Sequence, residues 1–470
     1  MHTTTDLICS PLRSRAALRQ WVRLFTGLDV PAEAVCPDHD PPMDYLATAY
    51  FEPARDQLVW APRGGGKTRL AAAATLLDLL HKPPAQVRIL GGSLEQSLKT
   101  WEYLLPDLER LGKHLLKRRS TARRVTLIHG GGAAVLTQSQ RAVRGLRVQK
   151  LRCDELELFD PDVWSAAQLA TRSLPRGRAI IRGSIEGLST CHVPGGLMER
   201  ALESAAPGVK RTRWCLLEVL ARCDDARDCG TCALFDDCRG VAKVRCSGFV
   251  SIDDAIAMKR RVSAETWAAE MLCRKPSSRD AVFPSFDPAV HVRETSDADA
   301  GPLDWAIDFG FANPFVCLFV RTSLGGLVHV IDEYVQERRS VEEHLAHLLA
   351  RGGPLPRQVA CDPAGSARNE QTAASNVQLL RRRGLPVRHR ASRIVEGVER
   401  IRALLRSGDG QVRLLVHPRC RRLVAALRSY RYPPGGGELP IKDGTHDHLI
   451  DALRYHLVNT PADPLDPRRY

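Results

Sequence analysis

APRGGGKT (61–68) and KLRCDE (150–155) are the two stretches that decide the fold. The first follows a short β-type run, VWAP (59–62), and leads into an Ala/Leu-rich helical stretch from Lys67 to His81. Successive backbone N–H groups of a glycine-rich turn can cradle phosphate oxygens at the positive end of a helix dipole. Arg63, Gly64, Gly65, Gly66, Lys67 and Thr68 are therefore candidate nucleotide-binding residues, Lys67 for the β/γ-phosphates and Thr68 for Mg2+. Ala61 stands where the first glycine of the usual pattern belongs. The second stretch ends a strand in adjacent acids, Asp154 as the metal acid and Glu155 as the catalytic base that polarises the attacking water. Burying unpaired charge is expensive, so such a strand end points to chemistry rather than packing.

Working outward, the chain alternates β-type and helical runs from Gln57 to about Gly187. VRILGG (87–92) precedes a helix from Ser93, VTLIHGGGAAVLTQ (125–138) reads as a hairpin, and RAIIRGS (178–184) reads as a buried strand. This alternation predicts βαβ units around a parallel sheet. The interval between Lys67 and Asp154 suits a RecA-like P-loop ATPase core, with ATP and Mg2+ (or Mn2+) bound. Two arginines stand near it. Arg63 lies inside the loop as a γ-phosphate contact, and Arg144, in RAVRGLR (141–147), is a candidate arginine finger.

A second α/β pattern opens at Leu303: WAIDFG (305–310), FVCLFVR (315–321), LVHVIDEYV (327–335), a helix (341–350), RQVACD (357–362) and a helix (367–382). Asp308 lies on its first strand, Asp362 ends its fourth, and THDHLIDALRY places Asp447, His448 and Asp451 on a helix. Asp447 and Asp451 are one turn apart and face the same way. Strand acid, strand acid and helix acid in this order predict an RNase H-like nuclease. Its two divalent ions would share the carboxylates of Asp308, Asp362 and Asp451 (or Asp447), with His448 beside them. Glu333 is a possible accessory acid.

Six of the fourteen cysteines fall between Cys215 and Cys246. Cys223, Cys229, Cys232 and Cys238 read C-x5-C-x2-C-x5-C, a spacing that could hold Zn2+ in a small loop-rich insert; an iron–sulfur cluster needs the same ligands. The expected organisation is an N-terminal helical segment (1–50), the ATPase domain (51–274) with this insert at 215–246, a linker (275–300), the nuclease domain (301–460) and a flexible tail (461–470).

The 68 Lys+Arg exceed the 54 Asp+Glu, a net +14 that points to a polyanionic partner. Candidate contacts with a nucleic-acid backbone are KHLLKRRSTARR (113–124), KRRVS (259–263) and RRRGLPVRHRASR (381–393). Hydrophobic residues at 44% and charged residues at 26% exclude wholesale disorder. No apolar run reaches the length of a membrane span and no export signal opens the chain, which implies a cytoplasmic protein without a membrane partner.

APRGGGKT, the Arg144-Gly145 pair before KLRCDE, and IIRGS, with IDFG, VACDPAG and HDHLIDALRY, together resemble the large subunit of tailed-phage terminases over residues 50–460. That resemblance implies a bacteriophage or prophage enzyme in the host bacterial cytoplasm, packaging double-stranded DNA and cutting it as an endonuclease. It also implies a homo-oligomeric ring on a portal, a small-subunit partner, Arg144 acting on a neighbour's ATP, and Gly183-Ser184 as a coupling segment. Here that segment reads GSIEG, less rich in Ser, Thr and Pro than the family's version. The competing readings are a helicase/nuclease-type repair or restriction enzyme and an inactive prophage DNA-binding remnant.

Overall fold

In a computed structural model, the described residues are 8–53, 56–117, 119–139, 143–176, 179–193, 195–275, 280–367, 374–433 and 437–460. The expected tail, 461–470, lies outside them. The chain divides into two compact units, Met1–Ile256 with Thr266–Ser277, and Ala257–Glu265 with Ser278–Tyr470. Among the described residues no helix is long and apolar enough to cross a membrane.

The first unit is built on a seven-stranded sheet in the order β3-β4-β2-β5-β8-β1-β9. Its strands are β1 (Gln57–Trp60), β2 (Gln86–Gly91), β3 (Arg124–Thr126), β4 (Gly132–Leu136), β5 (Lys150–Asp154), β8 (Ser184–Ser189) and β9 (Lys210–Arg213). All neighbours are parallel except the β3–β4 hairpin. The helix Lys67–His81 follows β1 and is buried almost throughout from Leu70 to Leu80, as an all-round apolar helix must be.

Alternation along β5 separates two kinds of side chain. Leu151 and Cys153 enter an apolar cluster with Leu156, Phe159 and Val163. Lys150, Arg152 and Asp154 share the other face and are equally buried. Arg152 donates to Asp78 (2.6 Å), Glu186 (3.0 Å) and Thr75 (3.1 Å), while Lys150 reaches Glu52 (2.7 Å) and Ser184 (3.0 Å). Each buried cation thus has a carboxylate, the condition under which such burial is tolerated.

RAIIRGS is not a buried strand. Its Ala179–Ile181 (β7) pairs with Leu174–Arg176 (β6) in a two-stranded ribbon, and Ile180 is 63% exposed. The sheet strand beside β5 is the more polar SIEGLS, whose Glu186 meets Arg152. Only half of the apolar pair enters the interior: Ile181 is buried and Ile180 is not, while SIEGLS buries Ile185 and Leu188.

The second unit carries a six-stranded mixed sheet, β14-β13-β10-β11-β12-β15. β10 (Leu303–Asp308), β11 (Phe315–Thr322) and β12 (Val328–Gln336) are antiparallel; β13 (Gln358–Cys361), β14 (Val387–Arg388) and β15 (Leu414–Val416) add in parallel. Trp305 and Ile307 pack on one face with Leu345, Leu348 and Leu380. Ala306 packs on the other with Leu449, Ile450 and Leu453 of the helix Asp447–Asn459. By parity Asp308 faces that helix. The helix expected over 367–382 is formed at Asn376–Arg382, capped by Ser375; residues 368–373 lie outside the described set. The stretch 280–300 holds two short capped helical turns, Pro288–His291 and Asp297–Ala300.

Candidate active sites

The phosphate-loop residues leave the end of β1 through a turn that requires glycine. Gly64 and Gly66 have φ of +69° and +85°, and a Cβ on Gly65 would lie 2.6 Å from the Pro62 ring. The loop lines a cavity of about 410 Å³ with Leu28, Val30, Tyr103, Glu155 and Phe249. Lys67 Nζ donates to the Pro62 carbonyl (3.1 Å) and lies 3.7 Å from Glu155.

Thr68 Oγ1 donates to Asp154 Oδ2 at 2.7 Å, while Asp154 Oδ1 is buried with no hydrogen-bond partner among the described residues. Burial, with Glu155 adjacent, pushes the Asp154 carboxyl up to about 6. Glu155 adopts a left-handed backbone (φ 57°, ψ 53°), a conformation costly for a non-glycine residue. It turns the chain sharply after β5 and leaves the Glu155 carboxylate on the cavity wall. Arg63 is 79% exposed and pairs with Glu270 at 3.2 Å. Arg144 is exposed.

In the second unit Asp308 is the last residue of β10, and Asp362 follows β13, capping a helical turn through Ala364 N–H (2.9 Å). His448 Nδ1 bonds Asp308 Oδ2 at 2.7 Å. Burial raises the Asp308 carboxyl to about 6, with Asp451 and Asp362 pushing the same way against the His448 bond. These three carboxylates therefore share one electrostatic environment. Asp451 accepts from buried Arg454 (3.1 Å), which crosses the space left by Gly397, where a Cβ would fall 1.9 Å from Arg454 Cγ. Asp447 Oδ1 and His448 Nε2 are buried and have no hydrogen-bond partner among the described residues. Glu333 is turned elsewhere: its carboxylate accepts the N–H groups of Arg422 (2.8 Å) and Leu423 (2.9 Å), capping the helix Arg421–Ser429.

Residues 305–460 match the family model described as "Terminase RNaseH-like domain". The structure is similar to the large terminase of thermophilic bacteriophage D6E in complex with ADP, at TM-score 0.53 and 15% identity over 88% of this chain and 96% of that one. A second crystal form of the D6E protein matches at TM-score 0.52 and 15% identity, over 86% and 94%. The fold is that of a phage large terminase. No curated protein sequence matches the chain. The two α/β units are the ATPase and RNase H-like folds expected of a terminase large subunit.

Two groups around the phosphate-loop cavity lie outside the sequence motifs. Thr100 Oγ1 lies 3.4 Å from Asp154 Oδ2, and buried Trp214 donates from Nε1 to the Gly65 carbonyl at 3.1 Å. Neither carries a local motif; both reach the loop from distant segments. In the second unit Arg454 was missed too, although its place three residues after Asp451 was a usable signal. The four insert cysteines, Cys223, Cys229, Cys232 and Cys238, line one small cavity with Arg227 and Lys243. Among the described residues, the group whose ligand atoms all lie within 4.8 Å of one another is a different one: Cys36, His39, Cys215 and Glu218.

Proposed function

We propose that this chain is a terminase large subunit that uses ATP to drive double-stranded DNA into a prohead and cuts concatemeric DNA with a divalent-metal endonuclease. The observation that carries this reading is the pairing, in one chain, of a phosphate loop facing Asp154-Glu155 with a second strand acid, Asp308, facing Asp362 and Asp451. The ADP complex of the D6E terminase supports a nucleotide in the corresponding cavity.

ATP would lie along the loop, its triphosphate on the N–H groups of residues 64–68 and its apolar parts toward Leu28, Val30 and Phe249. Lys67 is already held beside Glu155, so a small rotation from the Pro62 carbonyl would carry its ammonium to the β/γ-phosphates. Glu155 orients the attacking water and accepts its proton. Mg2+ fits Thr68 and the unpartnered oxygen of Asp154, and when bound it neutralises developing charge on the phosphates. Arg144, exposed, is available to a neighbouring subunit's nucleotide in a ring on the portal, and Arg63 to the γ-phosphate if it leaves Glu270.

In the nuclease half, Asp308, Asp362 and Asp451 would hold two Mg2+ or Mn2+ ions, which activate water and stabilise the leaving oxygen. Burial of Asp308 in the company of two further acids fits a site that awaits cations. His448 orients Asp308, and Arg454 orients Asp451. Asp447 stands one turn away as a reserve ligand. The insert cysteines remain a candidate Zn2+ (or iron–sulfur) site of structural role. A DNA-stimulated ATPase assay and a plasmid-cleavage assay test the proposal. Glu155→Gln should abolish hydrolysis and spare cleavage, and Asp308→Ala should do the reverse. Cleavage by Asp308→Ala at the wild-type rate in Mg2+ or Mn2+ would sink the nuclease assignment.

A further inference from the structure

Cys36 and His39 lie in the Pro-rich segment before the helix Pro42–Phe51; Cys215 and Glu218 lie just beyond β9. The two pairs have the same spacing, C-x2-H and C-x2-E, and come from segments 179 residues apart. Their ligand atoms close to within 4.8 Å of one another, with Cys215 and Glu218 buried. The Cys36 and Cys215 sulfurs are 3.8 Å apart, and His39 Nδ1 is 3.0 Å from Glu218 Oε2.

These distances have a simple geometric meaning. Two thiolates about 2.3 Å from one tetrahedral ion stand about 3.8 Å apart, and nitrogen and oxygen ligands at about 2.0–2.1 Å stand about 3.3 Å apart. A disulfide would need about 2.05 Å. The backbone already holds the ligands in place: Glu218 accepts the N–H groups of Cys36 and Cys215, both at 2.7 Å. Hydrogen bonds of this kind orient ligating groups.

We propose that Cys36, His39, Cys215 and Glu218 bind one Zn2+ ion. A mixed S2NO set around a small buried volume suits zinc, with its borderline softness and tetrahedral preference, better than a hard cation.

The site has a structural consequence for the nucleotide cavity. Cys215 follows Trp214, whose indole N–H holds the Gly65 carbonyl, and Asp40, next to His39, donates its N–H to the Arg213 carbonyl on edge strand β9 (2.6 Å) and accepts the Arg213 N–H on its carboxylate (3.0 Å). The ion would clamp the segment that supplies Leu28, Val30 and Pro31 to the cavity wall onto the strand that supports the phosphate loop.

The test uses the full-length chain and zinc itself, and is independent of ATP hydrolysis. On a Cys229→Ser/Cys232→Ser background, which disables the insert, purified protein should retain about one zinc per chain by mass spectrometry. Adding Cys36→Ser and His39→Asn should remove it. Because those variants could misfold, wild-type protein is also alkylated with and without chelator: Cys36 and Cys215 should be protected only with zinc bound. A Co2+-loaded sample of the insert-disabled protein should show tetrahedral d–d bands with thiolate charge transfer. Zinc-free protein on the insert-disabled background, equal alkylation in both conditions, or a Cys36–Cys215 disulfide in the purified chain would overturn the proposal.

Discussion

Strands β5 and β10 each end in the acid that defines a site, yet they bury charge in opposite ways. The inward stripe of β5 is Lys150, Arg152, Asp154, two cations before the acid, and its partners Glu52, Asp78 and Glu186, with Lys82 on Glu52 and Asp78, complete a network of mixed sign. The corresponding stripe of β10 is Asp304, Ala306, Asp308. Asp304 borrows a bidentate partner, Arg357 (2.6 and 3.1 Å), and Asp308 leans on His448. On the proposed reading, the stripe beside the phosphate loop carries resident cations, whereas the stripe that would gather divalent ions carries acids alone and leaves a deficit for them to fill.

The sharpest way to break that comparison is to remove a resident cation. Arg152→Met leaves Asp78 and Glu186 buried without it and should destabilise the first unit by about 3–5 kcal/mol, read by urea unfolding. Arg357→Met removes a half-exposed guanidinium and strands one buried carboxylate, Asp304, rather than two, and should cost less, about 2–3 kcal/mol. Equal losses would erase the distinction between the stripes.

Next in size is Lys67→Ala, expected to slow ATP hydrolysis by about 10²–10³-fold while DNA cleavage in Mn2+ without ATP continues unchanged. Parallel loss of both activities would mean that the sites are not chemically separable.

Asp308→Asn tests the deficit itself. Its folded carboxyl titrates near 6, above the unfolded value near 3.8, so the folded state holds the proton longer. Stability is therefore lost as pH rises from about 4 to 6, and the full cost is present at pH 7. Removing the charge should raise metal-free stability at pH 7 by up to about 3 kcal/mol, a gain that disappears below pH 4. Added Mn2+ should raise the melting temperature of the wild type and not of the variant. The smallest effect is reserved for Trp214→Phe, which deletes one hydrogen bond to Gly65. A loss of about 1 kcal/mol and a modest rise in KM for ATP are expected.

What could be read from the sequence was whatever is local. APRGGGKT, KLRCDE and the order of Asp308, Asp362 and Asp451 carry their chemistry in adjacent residues or in strand order, and the elements bearing them formed with nearly the expected bounds. Arg152 was passed over because its meaning depends on Asp78 and Glu186, 74 and 34 residues away. RAIIRGS misled for the complementary reason: its apolar pair reads as core, whereas the sheet strand beside β5 is SIEGLS, whose Glu186 meets Arg152 from 34 residues away. The Cys36–His39 pair sat in a segment without periodicity, and only the fold brings it to Cys215.

Gly397 extends the point about distance. It carries no functional atom, yet Arg454 fills the hollow where its side chain would be and so reaches Asp451. On the proposed reading, the nuclease geometry thus depends on an absence at a position that no assay of catalytic residues would sample. A lineage that acquired even one methyl group there would meet a defect in cutting whose origin lay in another helix, and the simplest route back would be a shorter residue at 454.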